Sequence, residues 1–120
     1  KIFRVIKNSL PGPFTFILNA NNHVSKLFGT SKKEVGIRVP DHGFTRKLIE
    51  MFNSPLVSSS VHDNDDILQY TTDPLTIFER YEHEVDAVID CGYGKNVAST
   101  IVDCTSDNPA ILRQGAGIIE

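Results

Sequence analysis

Six side chains stand where strand-like runs meet loops: Thr15, Arg38, Ser58, Ser60, Ser99 and Arg113. Hydroxyls and guanidiniums are groups that hold anions. A serine or threonine hydroxyl donates to a phosphate or carboxylate oxygen, and an arginine fork can donate twice to one anion. Thr15 follows Leu10-Pro11-Gly12-Pro13. Proline fixes φ near −65° and glycine tolerates geometries other residues avoid, so a stiff turn delivers this hydroxyl at the mouth of a strand. In Val35-Gly36-Ile37-Arg38-Val39-Pro40, alternation puts Val35, Ile37 and Val39 on one face and leaves Gly36 and Arg38 on the other. The glycine leaves space beside the arginine. Ser58 and Ser60 share a face about 7 Å apart, a spacing that spans a polyanion. Ser99 opens Ser99-Thr100-Ile101-Val102-Asp103, and Arg113 closes a run just before Gln114-Gly115. Each pattern also fits a plainer role: an ordinary helix-to-strand loop, a surface arginine, a serine-rich loop. The residue types leave both readings open.

The elements that must position these groups follow from periodicity. Ile2, Val5 and Ile6 recur at helical spacing, so residues 1–8 read as the end of a helix stopped by Pro11. Strands are predicted over 14–19, 35–39, 56–60, 85–89, 99–104 and 110–113. The first lacks polar alternation, as a strand buried on both faces would. Val24, Leu27 and Phe28 mark one short helical turn ended by Gly29. Phe44, Leu48, Ile49 and Phe52 mark an amphipathic helix with Arg46 and Lys47 outside, closed by Asn53-Ser54-Pro55. Asp73 is an N-cap and Pro74 a first helical residue, with Leu75, Phe78, Tyr81 and Val85 as the buried stripe. Short strands alternating with amphipathic helices predict an α/β fold: a three-layer domain with a mixed, twisted sheet.

The bulk numbers set the class. With 120 residues and 40% hydrophobic residues, the chain is long and apolar enough for one folded domain with a core. No apolar run approaches the ~20 residues of a membrane span, so no membrane partner is expected. No signal peptide is visible. Cys91 and Cys104 form no CxxC pair, which fits a reducing cytoplasm better than a disulfide framework. The net charge of −3 hides a split: residues 1–60 carry nine Lys/Arg against three Asp/Glu, and residues 61–120 carry three against twelve. The basic front half suits phosphates or RNA, or simply balances the acidic half. The chain begins at Lys1 and runs straight into helix-like sequence, which reads as a fragment of something longer.

Several chemistries lack their motifs. The sequence holds no P-loop, GxGxxG or GxSxG. His23, His42, His62 and His83 have no metal-ligand spacing. Asp63, Asp65 and Asp66 lack the glycine and terminal glutamate of an EF-hand, so Val61–Gln69 reads as a solvated acidic loop.

Five stretches, in order, resemble the YrdC/YciO family, whose best-known members make threonylcarbamoyl-AMP for tRNA modification. They are LPGPFTFIL at 10–18, VGIRVPDH at 35–42, PLVSSS at 55–60, STIVD at 99–103 and ILRQG at 111–115. The resemblance implies a YrdC-like domain over residues 1–120, corresponding to the C-terminal two-thirds of the family domain. It implies that Thr15, Arg38, Ser58, Ser60, Ser99 and Arg113 line a basic cleft for nucleotide, threonine or the adenylate. The implied activity is that of a nucleotidyltransferase using ATP with Mg²⁺, threonine and bicarbonate, with no tightly bound protein-ligated metal. The alternative is a non-catalytic module that binds tRNA or double-stranded RNA. Two departures stand out. Ser60-Val61-His62 replaces the Ser-Ala-Asn of the synthases, as in the YciO branch. The family's N-terminal segment, with a Lys-x-Arg pair that meets phosphates, is not among these residues, which implies an incomplete cleft and weak nucleotide binding.

Overall fold

The computed structural model describes residues 1–29, 31–63 and 70–119. The chain divides into two units, residues 1–55 with 99–120, and residues 56–98. The first unit carries a four-stranded mixed sheet in the order β2-β1-β3-β4, with β1 Phe14–Asn19, β2 Glu34–Ile37, β3 Thr100–Asp103 and β4 Ala110–Arg113. β1 runs antiparallel to β2 and parallel to β3, and β4 is antiparallel to β3 with a register shift at Ile101/Val102. The expected α/β class and mixed sheet are therefore observed.

One face of this sheet makes the core. Phe14 and Phe16 on β1 stack with ring centroids 5.7 Å apart, and Val102 and Cys104 complete the buried cluster. Ile2, Val5 and Ile6 of α1 (Ile2–Ser9) pack against it, which is what their helical spacing is for. β1 alternates more than expected: Thr15 and Ile17 on its other face are only half-buried. The turn into β1 depends on Gly12, where a Cβ would lie 2.6 Å from the Ser9 carbonyl oxygen. The Gly12 N–H donates to the Val39 carbonyl over 2.9 Å, tying the turn to the chain leaving β2.

The helices start and stop on local signals, although Asn22 and His23, expected as turn, already belong to a helix. Asn21 caps α2 (Asn22–Leu27) by accepting from the Val24 N–H at 2.9 Å. In α3 (Gly43–Phe52) the His42 ring takes the N-cap role, and Asn53 ends the helix in the left-handed region at φ 58°. Among the described residues no helix is long and apolar enough to cross a membrane.

The second unit differs from expectation. Residues 56–60 and 85–89 are not strands. The first is exposed throughout, and a serine-rich segment gains little from a ladder that does not bury it. The second begins as a turn, in which the Glu84 and Val85 N–H groups both donate to the Tyr81 carbonyl. β2 also ends at Ile37 rather than Val39, and β3 covers Thr100–Asp103 rather than 99–104. α4 (Pro74–Tyr81) starts as expected, with Asp73 accepting from the Leu75 N–H at 2.9 Å. Its apolar stripe is not buried, with Leu75 61% and Phe78 47% exposed. Polar contacts hold the unit instead. Thr71 is buried, donates to Asp63 at 3.0 Å and accepts from Arg80 at 2.9 Å, while Asn96 accepts from the Tyr70 N–H at 3.0 Å. Asp65 and Asp66 lie outside the described residues.

Candidate functional site

The sheet's non-core face gathers the hydroxyls and guanidiniums at one end. In β1, Phe14 and Phe16 take the core face, so Thr15 takes the other. The parallel register pairs Phe14 with Thr100, which places Ser99, one residue earlier, on the Thr15 side. The Thr15 and Ser99 hydroxyls are 2.7 Å apart, one donating to the other. Arg113 pairs with Ile101 across β3 and β4 and reaches back to the start of β3. Its Nε and Nη2 donate to the Ser99 carbonyl at 3.1 and 2.8 Å, and Nη2 lies 3.3 Å from the Ser99 hydroxyl.

Arg38 comes to the same end by register. The ladder runs from Asn19 opposite Glu34 to Phe16 opposite Ile37, so Arg38 is the first residue past β2, at the end of the sheet where Thr15 lies. Arg38 is exposed. A Cβ on Gly36 would lie 3.4 Å from the Thr15 methyl, so the glycine keeps the floor beside Thr15 open. Thr15, Ser99 and Arg113 thus share one face and one end of the first unit's sheet, and Arg38 follows β2 at that end. Ser58 and Ser60 belong to the second unit, where both are exposed on irregular backbone.

Two supporting residues were not singled out in the sequence. Thr100 is fully buried; its hydroxyl donates to the Gly117 carbonyl at 2.7 Å and accepts from the Gly115 N–H at 3.0 Å. Gln114 donates to the Gly117 carbonyl at 2.7 Å. Together they pin the segment following Arg113. A threonine in a strand gives no hint of this, because both partners lie 15 and 17 residues away. Thr100→Val keeps the shape and strips the hydroxyl, leaving the half-buried Gly115 N–H without its acceptor. The expected loss is about 1–3 kcal/mol, read as a lower urea midpoint at unchanged slope.

The far end of β3 carries the perturbed titrations. The Asp103 carboxyl is held below its usual range, first by the Thr105 hydroxyl at 2.6 Å and then by the Thr105 N–H at 2.9 Å. Burial raises the Cys104 thiol, and the Asp103 charge adds to this. A lowered carboxylate stabilises the fold above its unfolded value and loses that contribution as pH falls through the folded value. Below pH ~4 the native protein should therefore lose stability more steeply than Asp103→Asn, measured by denaturant midpoints across acid pH. Identical acid slopes would show that the Thr105 contacts do not favour the ionised form.

The chain belongs to the Sua5/YciO/YrdC family, whose model, described as "Telomere recombination", matches residues 1–115. An uncharacterised protein of Haemophilus influenzae is 39% identical over 96% of this chain and 56% of its own length. A threonylcarbamoyl-AMP synthase of Pyrococcus abyssi is 28% identical over 91% of this chain and 32% of its own. The crystal structure of Escherichia coli YciO superposes with a TM-score of 0.84 at 34% identity, covering 97% of this chain and 56% of that one. P. abyssi Sua5 complexed with L-threonine gives 0.78 at 27% identity, covering 95% and 33%. The chain thus spans little more than half the length of its YciO-type relatives.

Proposed function

We propose that this chain forms part of a threonylcarbamoyl-AMP synthase-type protein, with the non-core face of the first unit's sheet as the surface that takes L-threonine and ATP. The observation that carries this is the Thr15–Ser99–Arg113 cluster, with Arg38 one residue past the end of β2. The likeness to a threonylcarbamoyl-AMP synthase and to a threonine-bound Sua5 supports it. In this reading, the threonine amine and bicarbonate condense with loss of water to a carbamate, whose oxygen attacks the α-phosphorus of ATP. The bond to the β-phosphate oxygen breaks and pyrophosphate leaves. The protein supplies position and charge rather than a nucleophile. Arg38 and Arg113 neutralise carboxylate and phosphate oxygens, and Thr15 and Ser99 donate to them. Two hydroxyls and two guanidiniums are not a magnesium ligand set, so Mg²⁺ would be held by the phosphate oxygens of ATP.

One observation favours a second reading, a double-stranded RNA- or tRNA-binding module without catalysis. Where the synthases carry an asparagine amide, His62 packs its ring on Tyr70, with centroids 5.2 Å apart, and its carbonyl accepts from Arg80. The first unit also carries ten Lys/Arg against six Asp/Glu. Pyrophosphate release from ATP, measured with and without threonine and bicarbonate, separates the two. Release that needs both substrates supports the synthase reading. No release, with RNA binding that weakens steeply with salt, supports the second. Neither signal would dismiss both.

A further inference from the structure

The second unit holds a cleft of about 540 Å³ that the reading above does not use. Leu75, Phe78, Val88 and Tyr93 line it, with Asp73 and Asp90. Its apolar side chains are wet: Leu75, Phe78 and Tyr93 are 61%, 47% and 76% exposed. Each aspartate uses one carboxylate oxygen, for the Leu75 and Gly92 N–H groups respectively. The second oxygen of each makes no hydrogen bond among the described residues. Between residues 56 and 98 there are two Lys/Arg against nine Asp/Glu, a net of −7.

We propose that this cleft docks a basic segment of a partner protein, with one apolar side chain seated on Leu75, Phe78 and Tyr93 and flanking Lys or Arg on Asp73 and Asp90. Charge selects the occupant. An acidic unit repels nucleic acid and acidic peptides, and draws cationic ones from a distance. The volume suits a side chain or two rather than a folded domain, and exposed aromatic faces attract both apolar groups and cations. Two carboxylates beside an apolar floor therefore define a short basic peptide with an apolar anchor.

The test titrates the isotopically labelled chain, followed by NMR, with the amidated peptide Lys-Leu-Phe-Arg-Lys. Two controls accompany it: Glu-Leu-Phe-Glu-Glu and Lys-Gly-Gly-Arg-Lys. The basic, anchored peptide should bind saturably, with shifts centred on Leu75, Phe78 and Tyr93. The acidic peptide should not bind, and loss of the anchor should weaken binding about tenfold or more. Tyr93→Ala, and Asp73→Asn combined with Asp90→Asn, should each weaken it by about the same factor. These variants keep the fold, because asparagine retains the accepting oxygen and Tyr93 is mostly exposed. Absence of saturable shifts, equal binding of the anchorless peptide, or indifference to these variants would overturn the proposal. So would sedimentation showing self-association that Tyr93→Ala abolishes, since a second copy would then be the occupant.

Discussion

Truncating Phe16 to alanine is expected to remove about 3–5 kcal/mol, enough to unfold most of the first unit. Phe16 is fully buried on β1, the strand paired on both sides. It stacks on Phe14 and sits among Val102 and Cys104, with α1, Leu10, Leu18, Ile37 and Ile119 around it. Among the described residues that cluster has four buried members, so a single ring is a large share of it. The cavity left behind has little freedom to collapse, because β1 is held in register by β2 and β3 together. Phe3→Ala is the matched control: the same atoms are lost at a residue 76% exposed, and surface truncations usually stay within about 0.5 kcal/mol. Urea unfolding of both variants checks this. A Phe16→Ala midpoint close to that of Phe3→Ala would mean that the Phe14–Val102 cluster is not the folding core.

Features set by neighbouring residues were legible in the sequence, and features set by distant partners were less so. The Asp73-Pro74 helix start, the Asn53 stop and the proline–glycine turn before β1 each depend on a few adjacent residues. A strand needs a partner. Residues 56–60 and 85–89 have strand-like composition, yet they form no ladder and stay exposed or half-buried. The site divides in the same way. Thr15 and Arg38 were placed by turn stiffness and alternation. The junction of Arg113 with Ser99 arises from β3–β4 pairing across 14 residues, which no local pattern reports. Resemblance to the family supplied that part of the reading. The support given by Thr100 to the segment after Arg113 was missed because a buried threonine looks, in sequence, like any other strand residue.

If the sheet face takes anions as proposed, removing its two guanidiniums should cost roughly 100-fold to 10⁴-fold in affinity for ATP. Each charge-assisted contact contributes about 1.5–3 kcal/mol, and about 1.4 kcal/mol is tenfold. Single variants should each lose roughly 10- to 100-fold, and the double variant should fall short of their product where both arginines hold one phosphate group. Arg113→Lys is the informative intermediate. Lysine keeps the charge but lacks the fork that grips the Ser99 carbonyl through Nε and Nη2, so the charge would no longer be fixed beside the Ser99 hydroxyl. Its loss should lie between wild type and Arg113→Ala. Stability should barely change in any of them, because Arg38 and Arg113 are both exposed. Calorimetric titration of ATP and of L-threonine, at low and moderate salt, reads all of this. The wild-type affinity for ATP should also fall with salt, since exposed charges are screened over about 10 Å at 0.1 M. Unchanged affinity in the Arg38→Ala/Arg113→Ala protein would place the anion site elsewhere and remove the main support for the synthase reading.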